Sequence, residues 1–376
     1  MTNRRGHRLV GMLVCATLLI SASSGAVAHE YRDTDTSDEE TVAIQASQAE
    51  QLATVRQWTR EERQAAKPLP FPGGKDGAIT PETDNETLVE GTPGYANSGA
   101  PDAQADVTAR KEFVEEWTEL EKMDSTIVDT IVEDDATIFG TAGVYTSYRG
   151  NYYSQMHTLY PYKAVGKLYV DGGGWCSASV VSPNNIIATA AHCVYNTDSN
   201  TWNSGWTFVP ADRNGSAPYG AFPWSNARVL NGWINAPNST DGRRYDVALI
   251  TLGNNSSGRP VTYYTGWLGR SWNHSSVQQL HATGYPGNLD SGRYTHICAA
   301  ESFHQSTDIL GMGCNMMHGS SGGPWLRAFK PYVVGSANYV NSVVSGGTPG
   351  STWGNTFYGP RFSSSNIVPL CNDEGC

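Results

Sequence analysis

The chain has 376 residues, with 25 Lys and Arg against 36 Asp and Glu and a formal net charge of −11. Most of the acidity lies in residues 29–135, which hold 9 basic and 26 acidic groups, whereas residues 136–376 hold 13 and 10. This near-neutral larger part lacks the clustered Lys and Arg that nucleic-acid binding requires, so that class of function is excluded. No apolar run after residue 28 approaches the roughly 18–20 residues that span a bilayer, which excludes an integral membrane protein.

The first 28 residues have the composition of an export signal. Three arginines within the first eight residues precede the apolar run Leu9–Ile20, and the small residues Ala26-Val27-Ala28 follow. This order predicts a signal peptide over residues 1–28, cleaved after Ala28, and hence a secreted, extracellular protein. The alternative, a membrane anchor, is disfavoured because an apolar run of about 12 residues is too short to span a bilayer.

Residues 29–138 are rich in Glu, Asp, Gln, Thr and Ala and do not have the composition of a compact core. Helices are expected at Glu40–Ala66 and Thr108–Asp124, where charged residues are frequent and apolar ones sparse. We interpret residues 29–138 as an acidic propeptide, because a secreted protein whose site must stay silent before export has a use for one. A disordered acidic linker is the alternative.

From residue 139 onward the chain is rich in Tyr, Trp, Val, Gly, Asn and Ser. Short apolar runs are separated by turn clusters, which predicts an all-β domain over residues 139–376, either a sandwich or a pair of barrels. The polar stretch 254–260 is expected to join two halves. The candidate strands are Ala164–Val170, Ser179–Val181, Ile186–Ala190, Val247–Leu252, Leu280–Gly284 and Tyr332–Gly335.

Three strings together supply the parts of a serine nucleophile site: Thr189–Cys193, Tyr245–Ile250 and Gly319–Pro324. Peptide hydrolysis by a serine needs an activated hydroxyl, a neutral imidazole, an acid that orients it, and donors for the oxyanion. We expect Ser321 to attack, His192 to act as general base and then general acid, and Asp246 to hold the imidazole. The oxyanion hole would be formed by the backbone N–H groups of Gly319 and Ser321.

Other arrangements of a catalytic serine fit the chain less well. Residues 319–323 also match the G-x-S-x-G nucleophile elbow, but that fold places its histidine after the serine, and the last histidine here is His318. The order acid, histidine, serine would need an acid such as Asp171, which neighbouring sequence does not support. Ser320 as the nucleophile would put the following Gly-Gly-Pro out of register.

The three strings resemble those of the trypsin-like (chymotrypsin-fold) serine peptidases, and the resemblance covers roughly residues 139–376. The phrase Ala282–Gly287 further resembles the bacterial glutamyl-endopeptidase branch. The resemblance implies two six-stranded antiparallel β-barrels of chymotrypsin type, with the triad in the cleft between them. It also implies a serine endopeptidase that forms an acyl-enzyme intermediate and takes protein or peptide substrates. The competing hypothesis is a catalytically silent relative that binds proteins or cell-wall polymers.

Six cysteines remain after Cys15 leaves with the signal peptide, and in an oxidising compartment an even number predicts three disulfides. The resemblance implies that the cysteine after the candidate histidine pairs with one upstream, which joins Cys176 to Cys193. The pairing of the other four stays open. The short-range choices are Cys298 with Cys314 and Cys371 with Cys376.

The residues expected to select the substrate are Asn315, His318, Ala337 and Asn338. Trypsin-like selection of Lys or Arg needs an acid six residues before the nucleophile, where this chain has Asn315, and no Asp or Glu occurs from Ile309 to Asn372. Ala337 is aligned with the position where the glutamyl branch places a histidine. We therefore expect a neutral, small or apolar residue to be preferred over Glu.

Two further expectations concern activation and cofactors. The family commonly has Asp directly before the nucleophile, where it receives a new N-terminal ammonium, but this chain has Ser320. Activation through that ion pair is not expected. His281, His296 and His304 lack the tight spacing of metal ligands, so we expect no metal, no cofactor and a monomeric enzyme.

Overall fold

The computed structural model describes residues 38–72, 91–102, 144–150, 156–236, 239–351 and 354–376. The predicted signal peptide, residues 1–28, and the predicted helix Thr108–Asp124 lie outside the described residues. Among the described residues, no helix combines the length and the apolar character that crossing a membrane requires.

The described secondary structure is mostly strand. The helices are Gln48–Gln57, Arg60–Ala65, Asn231–Asn235, Thr240–Arg243, Val261–Thr265 and Ile367–Glu374, with 3₁₀ turns at Met156–Thr158, Tyr162–Ala164, Ala191–Cys193 and Asp290–Gly292. The strands are β1 (Thr41–Gln45), β2 (Lys67–Pro68), β3 (Gly94–Ala96), β4 (Thr146–Arg149), β5 (Val165–Val170), β6 (Gly174–Val180), β7 (Ile186–Thr189), β8 (Tyr195–Asn196), β9 (Thr201–Trp202), β10 (Thr207–Pro210), β11 (Phe222–Leu230), β12 (Ala248–Leu252), β13 (Gly269–Trp272), β14 (Gln279–Gly284), β15 (His296–Ser306), β16 (Ile309–Gly313), β17 (Pro324–Arg327), β18 (Tyr339–Val343), β19 (Gly346–Ser351) and β20 (Gly354–Pro360).

The first sheet closes into a six-stranded antiparallel barrel. Its strands follow the order β11, β10, β5, β6, β7 and β12, and β12 pairs back with β11. Aliphatic and aromatic side chains fill the interior, including Leu168, Ile187, Phe208 and Leu249, each with no exposed surface. Closure leaves no strand edge within the ring and buries these side chains together.

The second sheet runs β19, β20, β16, β15, β14, β17, β18, β13 and β3, and β4 adds to β15. The all-β fold of chymotrypsin type is thereby confirmed. Two pairings among the described strands are parallel rather than antiparallel, β13 with β18 and β2 with β6. The stretch 254–260 lies between β12 of the first sheet and β13 of the second. The Asn255 side chain holds this turn by accepting from the backbone N–H groups of Ser257 and Arg259, both at 3.1 Å.

The described residues of the acidic N-terminal part form strands and helices. β1 pairs with β11, β2 with β6 and β3 with β13, so the segment extends both sheets. The two helices Gln48–Gln57 and Arg60–Ala65 fall inside the predicted range Glu40–Ala66, and each begins with a capping box. The helix prediction is wrong for Thr41–Gln45, because its β-branched residues form an edge strand on β11.

Three further features are a buried tryptophan of the N-terminal segment, the loop 332–335 and the disulfides. Trp58 is 4 % exposed and packs against Tyr169 of β5, with ring centroids 4.7 Å apart and the ring planes tilted by 38°, so the N-terminal segment shares the first core. The predicted strand Tyr332–Gly335 is wrong, because these residues form a loop held by hydrogen bonds to Asn338. The disulfides join Cys176 to Cys193, Cys298 to Cys314 and Cys371 to Cys376.

Candidate active site

His192 lies in the short turn that follows β7, and its neighbour Cys193 is bonded to Cys176 on β6. Both cysteines are fully buried, so the disulfide fixes this turn against the barrel. The imidazole Nδ1 lies 2.8 Å from Oδ2 of Asp246, and the His192 backbone N–H donates to Oδ1 at 2.9 Å. Because a carboxylate only accepts, Nδ1 carries the proton of this contact and Nε2 is left for other partners.

Asp246 lies two residues before β12 and is fully buried. Its Oδ2 also accepts a hydrogen bond from Ser345 Oγ, and Ser345 Oγ accepts from Nη1 of Arg243 at 3.3 Å. Burial opposes ionisation of the Asp246 carboxyl. The charge of His192 and the hydrogen bonds from His192 and Ser345 outweigh burial, so the pKa of Asp246 lies below its ordinary value. The acid is therefore held as a carboxylate against the imidazole.

Ser321 lies in the loop that precedes β17 and is buried. The next residue, Gly322, has φ +78°, which favours glycine. A Cβ at Gly322 would overlap the Thr189 hydroxyl and come within 2.7 Å of the Ala190 backbone nitrogen. The loop of Ser321 therefore packs against the end of β7, directly beside the turn that carries His192.

Two buried polar atoms at this point have no hydrogen-bond partner among the described residues: Nε2 of His192 and Oγ of Ser321. The structure brings the serine loop and the histidine turn together but does not form the hydrogen bond between these two atoms. Other buried polar atoms of the described residues also lack a partner, so what distinguishes these two is that the serine loop and the histidine turn adjoin. In sites without substrate, hydrogen bonds between nucleophile and base are often long and tighten on binding.

The two residues before the nucleophile have other partners. Gly319 has φ +88°, and its backbone N–H donates to the carbonyl of Leu69 at 3.2 Å. One of the predicted oxyanion donors is thus occupied by the N-terminal segment. The Ser320 hydroxyl donates to the carbonyl of Met317 at 2.6 Å, which engages the alternative nucleophile in a local contact.

Two of the four predicted specificity residues lie close to the serine loop in the chain. His318 Nδ1 accepts from the backbone N–H of Phe71 at 3.0 Å. Burial, and secondarily the neighbouring His192, lower the pKa of His318, which agrees with its Nδ1 accepting this hydrogen bond. Asn315 follows the disulfide-bonded Cys314, and its carbonyl accepts from the Asn288 side chain at 2.8 Å.

The other two predicted specificity residues, Ala337 and Asn338, lie at the opposite end of β17 from Ser321. The Asn338 backbone N–H donates to the carbonyl of Ala328, directly after β17, and its side chain holds the loop before it. The Ala337 carbonyl accepts from Ser98 at 3.1 Å. Strand β17 and the loop 328–338 separate these two residues from Ser321, so the structure does not bring them to the nucleophile.

Several residues at the site were not predicted from the sequence. Ser345 and Arg243 extend the hydrogen bonds of Asp246, and Phe71 and Leu69 reach the serine loop from the N-terminal segment. A signal for the last two was present, because the apolar residues of Pro68–Pro72 interrupt a strongly acidic stretch. No comparable local signal distinguishes Ser345 from the other serines of its region.

Among the described residues, Cys176, His192 and Cys193 place potential metal-binding atoms within 4.8 Å of one another. The two sulfurs are bonded to each other, so they do not offer thiolate ligands. The cluster is the anchor of the histidine turn.

Residues 153–360, more than half of the chain, match the trypsin family. The chain belongs to the trypsin family. This confirms the resemblance to trypsin-like serine peptidases read from the three strings. All three strings, with His192, Asp246 and Ser321, lie inside the matched range.

Individual relatives within the trypsin family are bacterial proteases. The glutamyl endopeptidase of Bacillus licheniformis is 29% identical over 137 residues, which is 36% of this chain and 40% of that protein. The chain thus matches less than half the length of this curated relative. Protease Anisep from Arthrobacter nicotinovorans is 29% identical and covers 56% of this chain and 94% of its own, with a TM-score of 0.48. A Glu endopeptidase solved in complex with MPD is 19% identical and covers 63% and 100%, with a TM-score of 0.49.

Proposed function

We propose that this protein is a secreted serine endopeptidase, synthesised as a precursor, that cleaves peptide bonds through His192, Asp246 and Ser321. The observation that carries the proposal is the 2.8 Å contact between the His192 ring and a fully buried Asp246 carboxylate, next to the loop of Ser321, whose buried hydroxyl has no partner among the described residues. A carboxylate with this environment serves to orient an imidazole, which is what general-base catalysis by a serine requires.

The reaction proceeds in two halves. Ser321 Oγ attacks the substrate carbonyl carbon while His192 Nε2 takes its proton, and the oxyanion is stabilised by the backbone N–H groups of Gly319 and Ser321. His192 then gives the proton to the leaving amine, and an acyl-enzyme remains. Water attacks the ester by the same route in reverse, returning Ser321 and releasing the acid product. Asp246 stays ionised throughout and stabilises the imidazolium.

The proposed organisation has a signal peptide at 1–28, a propeptide at 29–138 and the peptidase domain at 139–376. Export to an oxidising compartment is supported by the three disulfides. The contacts of β1, β2 and β3 support a propeptide that folds onto the peptidase domain, rather than a free linker.

The experiment is hydrolysis of a peptide panel by the purified processed protein and two serine variants. Ser321→Ala should lower turnover by on the order of 10⁶-fold, by analogy with removal of a triad nucleophile. Ser320→Ala, at the adjacent serine, is the matched control and should retain most activity. Full activity in Ser321→Ala would refute the proposed nucleophile, and an inactive parent protein with an intact fold would favour the binding-module alternative.

A further inference from the structure

The segment Lys67–Pro72 reaches the candidate active site in an extended form. Its sequence alternates proline with other residues, at Pro68, Pro70 and Pro72. Proline fixes φ and restricts the residue before it to extended conformations, so the segment has little conformational entropy to lose when it binds. It begins as β2, parallel to β6, which also carries Cys176 of the histidine-anchoring disulfide.

The backbone of this segment is hydrogen-bonded both to strand β6 and to the serine loop. The Leu69 N–H donates to the carbonyl of Trp175 at 3.0 Å, and the Leu69 carbonyl accepts from the Gly319 N–H at 3.2 Å. The Phe71 N–H then donates to Nδ1 of His318 at 3.0 Å. The segment therefore occupies two groups of the serine loop: the Gly319 N–H, which is an expected oxyanion donor, and Nδ1 of His318.

The Phe71 side chain fills an apolar pocket beside the nucleophile and is only 2 % exposed. It packs in one buried cluster with Met316, Val344 and Phe357, and its ring meets His318 at 4.9 Å and Phe357 at 6.1 Å, both edge to face. One wall of this pocket is joined to the serine loop, because the Val344 carbonyl accepts a hydrogen bond from the Gly322 N–H at 2.8 Å.

We propose that Phe71 occupies the pocket that receives the substrate side chain, and that this pocket selects aromatic residues on the acyl side of the cut. The inference rests on the proposed function and adds its substrate class. In the intact chain the segment Lys67–Pro72 then blocks the cleft that substrates use.

The chemistry of the pocket favours an aromatic side chain over a carboxylate. Apolar side chains pack around Phe71, and His318 Nδ1 is taken up by the Phe71 backbone N–H. The nearby Arg243 guanidinium is engaged as well, because it donates to the Pro72 carbonyl at 3.2 Å and to Ser345 Oγ at 3.3 Å. A Glu side chain packed among these apolar side chains would lose its hydration, which costs more than burying an aromatic ring there.

The segment blocks the cleft without offering a bond for cleavage. The carbonyl at the Gly319 N–H belongs to Leu69, whereas the side chain in the pocket belongs to Phe71, two residues later. In a cleaved substrate the recognised side chain and the attacked carbonyl belong to one residue. The bond that follows Leu69 also leads to Pro70, whose nitrogen carries no hydrogen.

The test uses the intact chain and activity-based probes. Diphenyl phosphonates with a Phe or a Glu side chain react when Ser321 Oγ bonds to phosphorus and phenolate leaves, the serine proton passing to His192. Phe71→Ala should react with the Phe probe at least about tenfold faster than the parent chain, because the blocking segment is weakened. Leu52→Ala, an exposed leucine of the same N-terminal segment with 55 % exposure, is the matched control and should react like the parent.

The preference is read within the unblocked variant. In Phe71→Ala the Phe probe should react at least about tenfold faster than the Glu probe. If the alanine variant does not fold, Phe71→Leu, which keeps an apolar side chain, should show the same two changes at several-fold size. Intact mass confirms that residues 67–72 are still present in each labelled chain.

The outcomes separate this inference from the proposed function. Equal rates in the parent and Phe71→Ala would overturn the blocking contact, and a faster Glu probe would overturn the aromatic preference, while labelling in either case upholds the nucleophile. If a small fluorophosphonate also fails to label folded Phe71→Ala, the proposed function itself fails and the inference falls with it.

Discussion

At the level of single residues, one buried carboxylate holds the candidate catalytic histidine. Asp246 receives the His192 ring, the His192 backbone and the Ser345 hydroxyl, so all of its hydrogen bonds act to fix one imidazole. Burying a carboxylate costs desolvation free energy. In return, these hydrogen bonds hold the imidazole in a single tautomer and orientation. The atom left over, Nε2, has no hydrogen-bond partner among the described residues.

We expect Asp246→Asn to lower turnover about 10⁴-fold with little change in KM, because the amide would stabilise the wrong imidazole tautomer. Steady-state hydrolysis of one peptide substrate at neutral pH measures both constants. Asp198→Asn, an exposed acid on the turn between β8 and β9, is the control and should leave both unchanged. A loss of less than tenfold in the Asn variant would contradict the role assigned to Asp246.

His157 provides a pH-dependent prediction outside the active site. Burial, and then the charge of Arg213, lower its pKa from 6.5 to about 4. Below pH 6.5 the unfolded chain protonates His157, whereas the folded chain protonates it only near pH 4. Stability should therefore fall between these two values, by up to about 3 kcal/mol from this group.

Urea unfolding of the parent and His157→Gln at pH 7 and pH 4.5 measures this contribution. The variant should lose less stability on acidification than the parent. Other buried histidines with lowered pKa, such as His281, act in the same direction but remain in both proteins, so the difference isolates His157. Equal losses in the two proteins would contradict the prediction.

At the scale of elements, the C-terminal helix Ile367–Glu374 locks onto the first barrel. The Glu374 side chain is 2 % exposed and accepts from Asn226 and Arg228 of β11 and from Thr251 of β12. It therefore ties the two strands whose pairing closes the ring.

Glu374→Ala should destabilise the fold by about 3 kcal/mol, because it leaves Arg228 partly buried without its main partner. Asp373→Ala, the neighbouring acid with a side chain 52 % exposed, should cost under about 1 kcal/mol. Free energies of unfolding in urea give both values. Equal effects for the two variants would mean that the buried contact is not what holds the helix.

The elements that sequence predicts well are those specified locally. The strands β5, β7, β12 and β14 coincide with short apolar runs, and each of the three catalytic strings is contiguous in the chain. The β1 strand was predicted as helix, since its edge position depends on β11, far along the sequence. Tertiary pairing decides such segments more than propensity does.

The same limit applies to the site. His192, Asp246 and Ser321 each lie in a recognisable string, whereas Ser345 meets Asp246 across 99 residues and Phe71 meets His318 across 247. Contacts of that kind depend on how the two sheets pack and leave no local pattern.

At the scale of the whole molecule, the N-terminal segment adds strands to both sheets and also enters the cleft. The activation ion pair of the family lacks its acid here, and the Ser320 hydroxyl is held by Met317. Release of the segment from the cleft is therefore the change through which we expect this precursor to be activated.

The processed protein beginning near residue 139 should be at least about tenfold more active on peptides than the intact precursor, because its cleft is open. Activity of both secreted forms, normalised to the amount of each measured by intact mass, tests this. A chain that keeps residues 29–138 and is equally active would contradict the propeptide interpretation.

The most direct test of the catalytic assignment is the position of a covalent adduct. The processed protein, or the intact Phe71→Ala variant, is treated with a fluorophosphonate, digested and analysed by peptide mass spectrometry. The account predicts one adduct, on Ser321, which is lost when His192 is replaced by Ala because the hydroxyl is no longer activated. An adduct on Ser320 or on another serine, or labelling that does not depend on His192, would contradict it.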